Sequence, residues 1–227
     1  MPTKRHSALK SLEVRLRTSF GRDLSTPAGR RAAWAHFHLF DHAFLRTVWS
    51  NFDQVAEGVY RANQPGPKRL EKWKAMGIRG VLNLRGADGL SPWLFEEEAC
   101  ERLGLDLRVA KIYARRPARS AEILRLIETM RAMPRPFVMH CKSGADRAGF
   151  AAVLYLTIVE KVPVEQAMRH LHWRYLHLKS TPTGICDHVV ELYAARNRAG
   201  PIPMEDWFAT EYDPHAAAES FAARRRR

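Results

Sequence analysis

Hydrophobic positions change their period along this chain. In "STPAGRRAAWAHFHLFDHAFLRTVWSNF", residues 25–52, Trp34, Phe37, Phe40, Phe44 and Val48 recur at helical spacing. Thr26 is a suitable N-cap and Pro27 suits the first helical position, so an amphipathic helix is predicted to start there. Its aromatic stripe is expected to pack on the main body of the protein. The alternative is a face for a membrane surface or a partner.

From about residue 55 short apolar runs alternate with amphipathic ones. "EGVYRANQP" ends in a turn, "PKRLEKWKAMG" predicts a short helix closed by Gly77, and "IRGVLNLR" a strand. "SPWLFEEEACERLG" predicts a helix capped by Ser91 and stopped by Gly104; "LDLRVAKIY" a strand; "SAEILRLIETMRAM" a helix capped by Ser120; and "RPFVMH" another strand. This alternation predicts an α/β fold with a mainly parallel central sheet flanked by helices. Three helices are predicted to follow, in "RAGFAAVLYLTIVE", "PVEQAMRHLHWRYL" and "GICDHVVELYAARN", the first apolar nearly all round and therefore buried. "AGPIP", 199–203, reads as a boundary. The expected organisation is a basic N-terminal extension over 1–54, a catalytic domain over 55–198, and a C-terminal appendage over 199–227 that ends in arginines.

Composition narrows the partners. The 227 residues carry a formal net charge of +13, so the molecule attracts polyanions through its field alone. Nucleic acid, an anionic membrane face and phosphorylated substrates all satisfy that charge, but no nucleic-acid-binding motif accompanies it, so specific nucleic-acid binding is not expected. The three cysteines, Cys100, Cys141 and Cys186, are widely spaced and suggest neither a disulfide framework nor a zinc site. His36, His38, His42, His170, His172 and His177 have no carboxylates or cysteines at ligand spacing, so no metal and no cofactor are expected. The basic N-terminus lacks the apolar core of a secretory signal, and no run approaches the about 18 apolar residues of a membrane span. A cytoplasmic protein, with peripheral contact to an anionic inner membrane face as an option, is the expectation.

The candidate chemistry lies in "VMHCKSGADRAGF", 138–150. Cys141 ends a strand-like run, and ligands of α/β sheets gather where strand ends turn into helices. Such a turn aims backbone N–H groups at one point, and the following helix adds its positive end, which together make an oxyanion or phosphate cradle. Ser143, Gly144 and Ala145 are small enough for the backbone to close around a tetrahedral anion, with Lys142 kept beside it. Arg147 can fork two donors onto two phosphate oxygens. Positive surroundings of this kind favour the thiolate form of a cysteine, and a thiolate below a bound phosphoryl group is set up for displacement at phosphorus. The competing reading of Cys141 is a small buried hydrophobe.

"HCKSGADRAG" resembles the H-C-x5-R-[ST]-G loop of cysteine-dependent protein tyrosine and dual-specificity phosphatases, and "VYRANQP" and "VLNLRG" are similar to segments of their compact bacterial and fungal-type members. The likeness extends over about 55–198. It implies a phosphocysteine intermediate on Cys141, phosphate binding by Arg147 and the amides of 142–147, bracing of the loop by His140, and no metal. Rhodanese-type loops have one residue fewer, and thiol arsenate reductases carry their C-x5-R near the N-terminus with resolving cysteines.

Two departures from the pattern bear on turnover. Ala148 stands where the family carries Ser or Thr to stabilise the departing thiolate. The loop "KIYARRPARS", some thirty residues before the cysteine, has four cations and no aspartate to serve as general acid. Asp146 matches an aspartate found in the loops of myotubularin and Sac-type lipid phosphatases, and is the first candidate acid; Asp88 is the second. Arg61 and Arg85 are candidates for the pocket rim, and Lys111, Arg115, Arg116 and Arg119 for its entrance. The expected function is phosphomonoester hydrolysis on phosphoprotein substrates or on anionic phospholipids and inositol phosphates. A phosphate-binding module without turnover is the alternative.

Overall fold

The computed structural model describes residues 20–226. The first 19 residues of the basic N-terminal extension read from 1–54 therefore lie outside the described residues, as does Arg227. Five strands form one sheet in the order β1-β2-β5-β3-β4. They are β1 (Asp53–Ala56), β2 (Val59–Asn63), β3 (Gly80–Asn83), β4 (Asp106–Val109) and β5 (Phe137–Cys141). Only the β1–β2 hairpin is antiparallel. The other three pairings are parallel, so the expected α/β architecture with a mainly parallel sheet is the observed one.

Helices cover both faces, which is why β3 and β5 are buried along their whole length rather than at alternate positions. Helices α2 (Pro67–Ala75) and α3 (Ser91–Leu103) bury Leu70, Trp73, Ala99 and Cys100 against Val81 and Val138. The opposite face receives α4 (Ser120–Ala132), α5 (Asp146–Leu154) and α7 (Ile185–Ala199), with the short α6 (Val164–Ala167) between. Side chains alternate along β5: Phe137, Met139 and Cys141 join the α5 side, and Val138 the α2 side. Cys141 thus ends the central strand on the side where α5 begins.

Several local expectations change. Ser91 and Ser120 are the first helical residues, not the caps; Leu90 and Arg119 hold the extended cap geometry. The Ser91 hydroxyl instead meets His36 Nδ1 at 2.7 Å, and Glu122 accepts from the Arg119 amide at 2.8 Å. Segment 163–176 is not one helix but α6 followed by two 3-10 turns, Met168–His170 and Trp173–Tyr175. The aromatic helix is also shorter than its stripe. Thr26 and Pro27 start α1 (Pro27–Ala35) as predicted, but a wide turn, His36–Phe40, ends it. His42 then takes a positive φ of 59°, and the chain continues through a 3-10 turn, Leu45–Thr47. Phe37 packs in a small core with Phe95, whereas Phe44 and Val48 are exposed, so the second half of the stripe does not face the core. Residues past Gly200 form α8 (Met204–Thr210) and α9 (Pro214–Arg224). Met204, Trp207, Phe208, Tyr212 and Ala217 of this segment belong to the same apolar cluster as α4, α5 and α7.

Candidate active site

The loop 141–147 is held from outside by its carbonyls. Lys142 O accepts from the Gln64 amide at 3.3 Å, and Ser143 O from Asn51 Nδ2 at 2.8 Å. Gly144 O and Ala145 O accept from Arg61 Nη2 at 2.5 and 3.0 Å. A trans peptide points its N–H opposite to its carbonyl, so the amides of 143–146 turn toward the concave side of the loop. Helix α5 starts at Asp146 and adds its N-terminal end to the same side.

Two glycines make this fold sterically possible. Gly144 has φ +73°, and a Cβ there would lie 2.7 Å from the backbone of Ala62 and Asn63. A Cβ on Gly149 would lie 2.5 Å from the carbonyl oxygen of His170. The loop therefore sits directly on β2, and α5 directly on the 168–170 turn.

Lys142, Ser143, Asp146 and Arg147 line a cleft of about 350 Å³ with Asp41, His42, Leu45, Arg46, Trp49, Ala114, Arg115 and Thr183. Arg147 also borders a neighbouring depression with Tyr113, Arg115 and Arg116, and its Nη1 is 3.4 Å from Leu84 O. Gly144 and Ala145 form the back of the loop against Arg61. Cys141 is 1% exposed at the end of β5 and is not among the residues that line the cleft. Burial pushes the thiols of Cys100 and Cys186 up, away from the thiolate form.

One flank of the loop comes from the N-terminal extension. Asp41 is buried and collects Arg46 Nη2 at 2.7 Å, Arg85 Nη2 at 2.7 Å and Lys142 Nζ at 3.4 Å. Burial alone would raise its pKa, but the cations around it, Arg85 foremost, hold it well below the usual carboxylate range. Arg85 continues to Gln64 Oε1 at 2.8 Å; Gln64 Nε2 donates to Glu96 Oε2 at 3.0 Å, and Asn83 Nδ2 to the same oxygen at 2.7 Å. Glu96 Oε1 lies 2.5 Å from His140 Nε2. The side chain of His140, expected to brace the loop, thus meets a buried carboxylate on α3 beneath it.

The other flank reverses the stoichiometry. Asp146 Oδ1 is 2.7 Å from His177 Nδ1, and His177 Nε2 is 2.6 Å from Asp187 Oδ2 on α7. Burial of His177 works against its charge, yet its hydrogen bonds to Asp146 and Asp187 raise its pKa from 6.5 to about 9, so it is an imidazolium between two carboxylates at neutral pH.

Of the other candidates, Arg115 reaches the cleft wall. Arg61 is not at the rim: it is fully buried, stacks 3.8 Å over the Tyr175 ring and serves the loop from behind, with Nη1 on His170 O at 2.6 Å. Arg85 likewise points into the Asp41 network. Asp88 accepts from the Leu90 amide in an exposed turn and is absent from the cleft lining. Arg116 pairs with Glu122 and stacks on Tyr113, Lys111 Nζ lies over the same ring at 5.3 Å from its centroid, and Arg119 caps α4. Asp41, Arg46, Asn51, His177 and Asp187 were not singled out as functional by sequence reasoning. For Asp41 a signal exists, since it is the sole acid in the apolar and basic stretch 27–52. Among the described residues no cluster of three or more histidines, cysteines or carboxylates is arranged to hold a metal ion.

A family model described as "Tyrosine phosphatase family" matches residues 55–169. No curated protein sequence matches. Solved structures share the fold at low identity. P. aeruginosa TpbA is 16% identical, with a TM-score of 0.53 over 76% of this chain and 91% of that one. A putative phosphatase of Shewanella putrefaciens CN-32 is 18% identical, with a TM-score of 0.52 over 64% of this chain and 91% of its own. The core catalytic domain of the PP-IP phosphatase SIW14 of S. cerevisiae is 14% identical, with a TM-score of 0.50 over 66% and 94%.

Proposed function

The chain belongs to the tyrosine phosphatase family, and on that premise we propose that it hydrolyses phosphomonoesters through a phosphocysteine intermediate on Cys141, without a metal. The observation that carries this reading is the loop itself, whose four consecutive carbonyls are tied outward so that its amides converge beside Arg147. In the first step the amides of 142–147 and the Arg147 guanidinium hold the phosphoryl oxygens, and the Cys141 thiolate attacks phosphorus. The S–P bond forms as the P–O bond to the leaving group breaks, and the leaving oxygen takes its proton from the Asp146–His177 pair. Water then attacks the phosphocysteine, its proton returns to that pair, and the thiolate departs from inorganic phosphate.

Pairing with an imidazolium gives Asp146 a source for the proton that the cationic 111–120 loop does not offer. Asp88, in its exposed turn, is the weaker candidate. Phosphoprotein substrates and anionic phospholipids or inositol phosphates are the two substrate classes, and the fold relatives include both a PP-IP phosphatase and a TpbA variant crystallised with phosphotyrosine. Loss of turnover through Ala148 is the second reading.

The test is release of phosphate from an aryl phosphate by the full chain. Expected are inhibition by vanadate, indifference to chelators, and abolition by Cys141→Ser, with a trapped phosphocysteine in acid-quenched wild type. Vanadate binding without any phosphate release, in a protein that folds, would favour the binding module. Turnover surviving Cys141→Ser would overturn the assignment of the nucleophile.

A further inference from the structure

Of the large apolar side chains that the core leaves exposed, two groups lie on chain segments joined to the 141–147 loop. On the N-terminal wall Phe44 is half exposed and Val48 is 84% exposed, while Leu45 and Trp49 beside them line the cleft itself. On segment 173–178 Trp173 is 71% and Leu176 58% exposed, and Leu178 is exposed as well. The two segments meet at Asn51, whose Nδ2 donates at 2.8 Å to both Ser143 O of the loop and Tyr175 O. His177, between Leu176 and Leu178, is anchored on Asp146. Both apolar segments are therefore pinned to the catalytic loop through named hydrogen bonds.

The backbone supports the same conclusion. Leu176 has φ +64°, a left-handed conformation unfavourable for a leucine, and it presents that side chain to solvent rather than to the core. Single exposed apolar residues are ordinary, but several around one functional cleft mark a contact face. Arginines are interleaved with them: Arg174 adjoins Trp173, and Arg115 and Arg116 border the neighbouring depression with the exposed Tyr113. Aromatic and aliphatic tips among arginines, on a chain of net charge +13, match the chemistry of an anionic bilayer surface. Among the described residues no helix is long and apolar enough to cross a membrane, so such contact is peripheral.

We propose that the rim formed by Phe44, Val48, Trp173, Leu176 and Leu178 docks the protein on anionic phospholipid, with the cleft facing the headgroups and phosphomonoester lipids as substrates. The substrate part rests on the phosphatase reading above; the docking part does not. An anionic bilayer is favoured over a phosphopeptide because the apolar groups protrude on two separate segments with cations among them, rather than lining one groove.

The experiment uses the full chain carrying Cys141→Ser, with and without Val48→Asp and Trp173→Asp, in sedimentation with vesicles of phosphatidylcholine alone or with one third phosphatidylglycerol. Phosphatidylglycerol has no phosphomonoester, so docking is read apart from catalysis. Expected is binding to the anionic vesicles only, weakened about tenfold by the double substitution, with an unchanged melting curve. In the Cys141 protein the double substitution should leave aryl phosphate turnover unchanged and reduce phosphate release from vesicle-embedded phosphatidic acid by a similar factor. Absence of vesicle binding, or equal binding by the double variant, overturns the proposal, as does a loss confined to phosphopeptide turnover. Failure of the phosphatase reading would show instead as no aryl phosphate turnover with vesicle binding intact.

Discussion

The two flanks of the catalytic loop solve the same positioning problem with opposite charge counts. On one side a single buried carboxylate, Asp41, is surrounded by Arg46, Arg85 and Lys142. On the other a single buried imidazolium, His177, lies between Asp146 and Asp187. Arginine keeps its charge across any working pH, and Asp41 is held ionised by its neighbours, so the first flank is a fixed wall. The second flank contains a group that titrates, and it touches the loop through a carboxylate that lines the cleft. On the proposed mechanism proton transfer is assigned to that side, and shape and binding charge to the Asp41 side.

The largest expected effect comes from breaking the fixed wall. Asp41→Asn leaves Arg46 buried and Arg85 mostly buried without their carboxylate, an uncompensated charge that costs about 3–5 kcal/mol. Denaturant unfolding checks this. A loss under about 1 kcal/mol would mean that the wall is a surface feature, and the contrast between the flanks would fail.

The titrating flank gives a pH dependence whose sign follows from His177. Its folded pKa, about 9, lies above its ordinary value of 6.5. The stabilisation is therefore complete below 6.5 and is lost as pH rises through about 9. Thermal unfolding between these values should show a falling melting temperature. Asp187→Asn removes one of the two carboxylates and should lower stability at pH 6.5 while flattening the decline. An unchanged slope in that variant would break the assignment of the imidazolium.

Much of the central machinery was readable in the chain, and what was not shares one physical cause. The run "FVMHC" followed by small residues and arginine is local chemistry, and β5, the loop and α5 follow from it. Arg61 read as a rim cation because its partners are backbone carbonyls at residues 144, 145 and 170, which side-chain patterns do not display. Asp41 pairs with Arg85 and Lys142, and His177 with Asp146, across long stretches of chain, so the contacts that join each flank to the loop have no local spacing to find. Segment 163–176 has helical periodicity, yet its last part must deliver the His170 carbonyl to Arg61 and His177 to Asp146, and tertiary contacts outweigh propensity there. The caps at Ser91 and Ser120 were displaced by one residue, within the ordinary uncertainty of helix ends.

The smallest effect separates both flanks from the second chemical step. On the proposed mechanism the second step is hydrolysis of phosphocysteine, which releases the Cys141 sulfur. The position from which relatives offer a hydroxyl to that sulfur is Ala148, fully buried in the same cluster as Cys141. Ala148→Ser adds one hydroxyl in the first turn of α5. One new hydrogen bond is worth about 0.5–1.5 kcal/mol, so breakdown of the phosphoenzyme should accelerate about two- to tenfold. Formation of the intermediate should be unaltered, because the groups proposed to bind phosphate and to protonate the leaving oxygen are untouched. Pre-steady-state kinetics on an aryl phosphate resolves the two steps: the expected result is a smaller burst with a faster steady state. A change in the burst rate instead would show that the floor of the loop and its flanks are not independent, and that the division of labour between the flanks extends to the sulfur.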